Sequence, residues 1–273
     1  MLAILLVSLI GLTAILWLAS APLRIRKKRE KVRRMPFPKS WRDIIRQRLP
    51  MFRSLPADLQ LQLKDHIKIF LAEKQFVGCD GLEINDDIRV TIAAQACVLL
   101  LNRDTDYFPK LRQILVYPAA FIVDKEQRNE IGLSFQHRAV LLGESWDEGQ
   151  VILSWHDALA GAADPHDGSN VVMHEFAHQL DQEDGRANGA PPLATQADYA
   201  SWSEIMNREF AQLQYCAQQE LPSLFSYYGA TNPAEFFAVI TEVFFEQPQA
   251  FNEQHPLLYR ELSHFYRLDP LTW

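Results

Sequence analysis

Residues 171–181 read VVMHEFAHQLD. His174 and His178 are four apart, so on a helix they share one face and both imidazoles reach one metal ion. Glu175 follows the first histidine and is placed to take a proton from water held at that metal. The flanks supply the helix. Gly168-Ser169-Asn170 gives a loop and an N-cap, Val171, Val172, Phe176, Ala177 and Leu180 give apolar positions, and Gly185 gives a stop. A catalytic zinc takes three protein ligands and keeps a position for water, whose pKa it brings to about 7. The motif therefore predicts peptide-bond hydrolysis by a zinc-bound water, with Glu175 as general base passing the proton to the leaving amine. Two readings compete: a helix with surface histidines, and a structural zinc. A glutamate between the two histidines is less typical of the latter.

The third ligand is sought downstream, where residues 227–246 read YYGATNPAEFFAVITEVFFE. Thr231 or Asn232 caps a helix with Pro233 at its first position. Glu235 then lies in the first turn, and Glu242 lies two turns on along the same face. The helix is otherwise apolar, and a carboxylate on a buried helix needs a partner. A zinc ion is such a partner. The competing reading makes Glu235 an ordinary first-turn acid facing the helix dipole.

Working outward, residues 2–21 read LAILLVSLIGLTAILWLASA, without a charge. Twenty helical residues reach about 30 Å, the thickness of a bilayer core. A cleaved signal peptide is the competing reading. Against it stand the absence of Lys or Arg before the apolar run, the length of that run, and Pro22 directly after Ala19-Ser20-Ala21. The basic run 24–34 follows, with eight Lys and Arg against Glu30, a balance of +7. The whole chain carries −7, so the remainder carries −14. The positive-inside rule then predicts a single-pass protein of the inner (cytoplasmic) membrane whose catalytic domain faces the cytoplasm, with 24–34 against anionic headgroups. An acidic main domain is a poor match for phosphate backbones, so no nucleic-acid partner is expected. Cys79, Cys97 and Cys216 are too scattered for a disulfide framework, and the absence of C-x-x-C excludes a cysteine zinc site.

The expected division is an anchor at 1–23, a basic juxtamembrane linker at 24–39, and one metallopeptidase domain at 40–273. Helices are expected at 40–49, at 55–74 with Ser54 as N-cap, and from the Asn85-Asp86-Asp87 cap through Asn102 as the buried central helix. Further helices are expected at 170–184, 197–219, 232–247 and 255–267. Strands are expected at 112–123, 138–142 and 150–155. Strands in the middle with helices on both sides indicate an α+β fold, mostly helical, with a small mixed sheet.

HEFAHQLD at 174–181, followed by SYYGATNPAEFFAVITEVFF at 226–245, resembles the Mlc titration factor A family of zinc-dependent peptidases. GLEINDDIRVTIAAQACVLLL at 81–101, ILVYPAAFIV at 114–123, GESWDEGQVILSW at 143–155 and FYRLDPL at 265–271 resemble it too. The resemblance spans residues 40–273. The end of the site is also similar to the catalytic domain of anthrax lethal factor, and both are gluzincin-type. The resemblance implies a zincin-like fold and one zinc per chain held by His174, His178 and Glu235, with Glu175 as general base. It also implies aminopeptidase-like action on a peptide or protein, and a transcriptional repressor as partner. A regulatory binder with latent peptidase activity is thus an alternative function. Tyr228 matches a tyrosine near the metal in both relatives, where a phenol donates to the developing oxyanion; Tyr227 is the alternative. Asp181 and Glu242 are candidates to hold a ligand imidazole from behind, or else are solvated charges. The strand ending at Ser154-Trp155 is expected, by analogy with zincins, to be an edge that binds substrate backbone. The N-terminal anchor departs from the family's namesake, a soluble protein.

Overall fold

The computed structural model describes residues 2–128, 134–141, 143–146, 149–185 and 187–273. It separates into two units, Met1–Phe37 and Pro38–Trp273.

The first unit contains α1 (Leu2–Ala19) and α2 (Ala21–Arg33). The expected uninterrupted run 2–21 is thus broken at Ser20. Pro22 accounts for the break, because proline is tolerated only in a helix's first turn. The helices meet at a 44° bend. Arg24 folds back over the break, its guanidinium 4.3 Å from the Trp17 ring centre and donating to Ser20 Oγ. The basic stretch expected as a linker is helical through Arg33, and Pro36 and Pro38 follow its end. Among the described residues no single helix is long and apolar enough to cross a membrane; the bent pair Ser8–Ala19 and Ala21–Arg33 meets that test of length and composition together.

The second unit opens with α3 (Lys39–Arg48), a 3-10 turn at Pro50–Arg53, and α4 (Ala57–Glu73). Ser54 is not the N-cap of α4. It closes the 3-10 turn, its hydroxyl donating to Met51 O, and α4 starts behind Pro56. β1 (Gln75–Gly78) leads to α5 (Asp86–Val98). Asn85 caps α5 by accepting from Ile88 N–H at 3.0 Å. The helix ends at Val98, four residues before the expected Asn102, in a run of turns. α5 is buried almost all round. Its one interior amide, Gln95, donates both Nε2 hydrogens, to Thr91 O and to Ala158 O, and the second bond ties α5 to its neighbour.

The strands are β2 (Gln113–Tyr117), β3 (Phe121–Arg128), β4 (Ser134–Leu141), β5 (Gly143–Trp146) and β6 (Gln150–Ser154). The single strand expected over 112–123 is two strands in different sheets. Pro118 separates them, since it has no N–H for a ladder. The short strand expected at 138–142 is the end of the longer β4; Leu142 lies outside the described residues. The main sheet runs β1-β2-β6-β5, with β1, β2 and β6 parallel and β5 antiparallel. It is small and mixed, as the α+β reading requires. β3 and β4 form a separate antiparallel pair. β6 is paired on both sides, so the strand ending at Ser154 is not an edge; the edges are β1 and β5, and β5 packs on the metal-motif helix.

Ser154 ends β6 and caps α6 (Trp155–Ala163), a helix that the strand reading of 150–155 did not anticipate. α7 (Val171–Asp181), α8 (Gln196–Gln218), α9 (Pro233–Glu246), α10 (Pro248–Gln254) and α11 (Pro256–Tyr266) complete the unit. The Thr195–Asp198 capping box starts α8. Cys79, Cys97 and Cys216 are free thiols.

Candidate metal centre

α7 begins at Asn170, whose Oδ1 accepts from Met173 N–H at 3.0 Å. Its inner face is fixed by Phe176, fully buried, with ring centres 5.7 Å from Phe70 and 4.8 Å from Phe108. Burying an aromatic ring stabilises by about 2–3 kcal/mol, and edge contacts add to that. That contact turns the opposite face, with His174 and His178, toward α9. α9 is capped by Asn232, which accepts from Glu235 N–H at 3.0 Å, with Pro233 in the first turn. Residues Phe236 to Glu246 of α9 are all buried.

The two helices bring three side chains together. Glu235 Oε2 lies 3.0 Å from His174 Nε2 and 3.2 Å from His178 Nε2. One ligand atom from each of the three lies within 4.8 Å of the others. Glu242, seven residues on, reaches the other side of the same ring, with Oε1 2.7 Å from His174 Nδ1. A carboxylate there accepts a hydrogen bond from Nδ1–H, which keeps the proton on Nδ1 and leaves the Nε2 lone pair pointing at Glu235. Two imidazole lone pairs and a carboxylate repel unless a cation or extra protons stand among them. Two nitrogens and one oxygen suit a divalent ion of the zinc type, so these residues fit a bound metal.

The electrostatics carry the same tension. Burial opposes charge on His174, but hydrogen bonds to Glu235 and Glu242 outweigh it and raise its pKa well above the ordinary value. Burial pushes Glu235 up, yet the bonds from His174 and His178 hold it well below the usual carboxylate range.

The other expected residues fall as follows. Glu175 is buried on α7, and its charge acts on His174. Tyr228 is exposed, in the 3-10 turn Tyr227–Ala230, with its ring centre 5.8 Å from that of His174. Tyr227 turns away, its hydroxyl donating to Leu221 O. Asp181 is fully buried, so it is no solvated charge, and its Oδ2 accepts from Gly189 N–H at 2.7 Å rather than from an imidazole. It lies at the last position of α7, where the loop after the helix meets it. Burial raises its pKa, against the Gly189 bond.

Sequence reasoning missed two residues. Asn170 was read as a cap only, yet its backbone N–H donates to Glu242 Oε2 at 2.5 Å and its Nδ2 to Glu246 Oε1 at 3.0 Å. Glu246 is buried, and burial pushes its carboxyl up to about 8. The available signal was a second glutamate, four residues after Glu242, on an otherwise apolar helix.

Residues 23–267 match the family described as glucose-regulated metallo-peptidase M90. The chain belongs to the M90 metallopeptidase family. An uncharacterized protein of Synechocystis sp. is 40% identical over 270 residues, covering 98% of both chains. That coverage leaves only a handful of residues unmatched, so the likeness takes in most of the N-terminal helices. Proteins named Mlc titration factor A are 34% identical: the one from Klebsiella pneumoniae over 226 residues, 82% of this chain and 84% of its own, and the one from Salmonella agona over 235 residues, 84% and 86%. Membership in M90 implies a metal cofactor, and the His174, His178 and Glu235 cluster is the group of described residues arranged to hold one.

Proposed function

We propose that this M90 protein is a membrane-anchored zinc peptidase with aminopeptidase-like action. The observation that carries the reading is the meeting of His174, His178 and Glu235 beside the buried Glu175. His174, His178 and Glu235 would hold the zinc, which supplies Lewis acidity to water and to the scissile carbonyl when bound. Glu175 accepts the proton of the attacking water and hands it to the leaving amine, so one water and one peptide bond become an acid and an amine. Tyr228 donates its O–H to the oxyanion of the tetrahedral intermediate. Glu242 holds the Nδ1–H of His174 and so aims Nε2 into the site.

The test uses the full chain in detergent, with zinc content and cleavage of aminoacyl and peptide chromogenic substrates read on the parent and on Glu175→Gln. Zinc in both and cleavage by the parent alone is the expected result. Equal cleavage by both would overturn Glu175 as the base. Zinc in both with cleavage by neither favours a second reading, supported by the relatives named Mlc titration factor A: a regulator that binds a transcriptional repressor.

The anchor is part of the proposal. α1 is uncharged and α2 is basic, which supports insertion in the inner membrane with the catalytic unit in the cytoplasm. Carbonate extraction of cell membranes tests it: retention in the pellet is expected, and release into the supernatant contradicts it.

A further inference from the structure

We infer that Asn170 is a positioning residue for the metal centre: it fixes the spacing of the two ligand-bearing helices and so places Glu242 behind His174. This rests on the metal reading proposed above. Asn170 is buried, and its polar atoms all find partners in three different elements. Oδ1 caps α7 at Met173 N–H, and its carbonyl accepts from His174 N–H at 2.9 Å. Its own N–H donates to Glu242 Oε2 on α9. The two hydrogens of Nδ2 go to Gly161 O on α6 and to Glu246 Oε1 on α9, each at 3.0 Å. An ordinary cap makes only the two bonds to its own helix, one through the side-chain oxygen and one through the carbonyl. Asn85, the cap of α5, is exposed and is such a case.

The consequence follows from geometry. Glu242 spends one oxygen on His174 Nδ1 and the other on the Asn170 N–H. The carboxylate is therefore held by two fixed points on α7, four residues apart. If residue 170 moves, Glu242 moves, and the His174 ring loses its orientation. The Nδ2 bonds keep residue 170 in place from the α6 and α9 sides. Gly161 belongs to the same device, because a Cβ there would stand 3.1 Å from Asn170 Cα and Cγ. Partners of this kind behind a metal ligand change affinity by roughly 10–100-fold when removed.

The test compares Asn170→Asp, Asn170→Ala, Gly161→Ala and the control Asn85→Ala in the full chain. Zinc affinity is read by competition with a chelator, and folding by thermal melting. Asn170→Asp keeps the cap oxygen and loses the Nδ2 donor, so it separates the two roles and stands in if Asn170→Ala does not fold. The account expects zinc affinity about 10–100-fold weaker in Asn170→Asp and Asn170→Ala, and unchanged in Asn85→Ala even where its Tm falls as far. Gly161→Ala favours the helix by propensity but crowds Asn170, so several-fold weaker zinc binding with no loss of Tm is expected. Parental zinc affinity in both Asn170→Asp and Gly161→Ala would overturn the inference while leaving the metal reading intact. Failure of the parent itself to bind zinc would overturn the metal reading, and this one with it.

Discussion

α7 and α9 build one site in opposite ways. α7 supplies His174, Glu175 and His178 within little more than one turn, so its chemistry is local and readable from spacing. α9 supplies Glu235 and Glu242 seven residues apart, and the two carboxylates serve opposite sides of the same imidazole. Nothing in their spacing says which nitrogen each will meet; the packing of α9 against α7 decides it. A third carboxylate on α9, Glu246, takes a further environment. Glu235 lies far below its ordinary pKa, because burial is outweighed by two imidazoles. Glu246 is pushed up to about 8, because burial is opposed mainly by one amide. Environment, more than residue type, thus sets what a glutamate does on this helix.

The sharpest way to break the comparison is to remove the two carboxylates separately. Glu235→Ala takes away a ligand and should abolish stoichiometric zinc binding. Glu242→Ala leaves the three ligands and should weaken zinc by about 10–100-fold. Equal affinity in the two variants, by chelator competition, would refute their different roles.

The next effect concerns the rigid side of α7. Phe176→Ala removes a fully buried ring between Phe70 and Phe108 and should destabilise by about 3–5 kcal/mol. Denaturant unfolding reads this, and a loss under 1 kcal/mol would mean that α7 is held from the α9 side instead.

The smallest effect is on pH. Glu246 is neutral in the folded protein at pH values where an exposed glutamate is ionised. The folded state therefore binds more protons, and stability falls as pH rises from the ordinary value near 4.5 toward 8. Glu246→Gln keeps an amide in place of the acid and removes that slope. The variant should gain on the order of 1–3 kcal/mol relative to the parent between pH 5.5 and pH 8. Identical stability profiles in melts across that range would place the Glu246 carboxyl in a more polar setting than its burial implies.

Legibility followed the same line. The helices that carry caps and period were foreseen within a few residues, as at Asn85, Asn170 and Asn232, because a cap is a bond to an amide three residues on. Prolines were harder. Pro22 broke the apolar run, Pro118 split a strand in two, and Pro56 moved the start of α4 away from Ser54. A proline acts through its own missing N–H and fixed φ, so it interrupts an element without changing the apolar pattern on either side. The sheet order was not legible, since β6 looks the same as an edge or as a centre strand until β5 pairs with it. At the site, Glu242 and Asp181 read alike, as acids near the motif. One reaches an imidazole and the other holds the Gly189 turn, a difference made by tertiary packing alone.

The central claim is that α7 and α9 jointly hold one metal ion. The direct measurement is a crystal structure of the zinc-loaded protein with anomalous scattering recorded at the zinc edge. The account predicts a single peak touching Nε2 of His174, Nε2 of His178 and a carboxylate oxygen of Glu235, with Glu242 at Nδ1 of His174. A peak elsewhere, or one on the two histidines with Glu235 turned away, would contradict it.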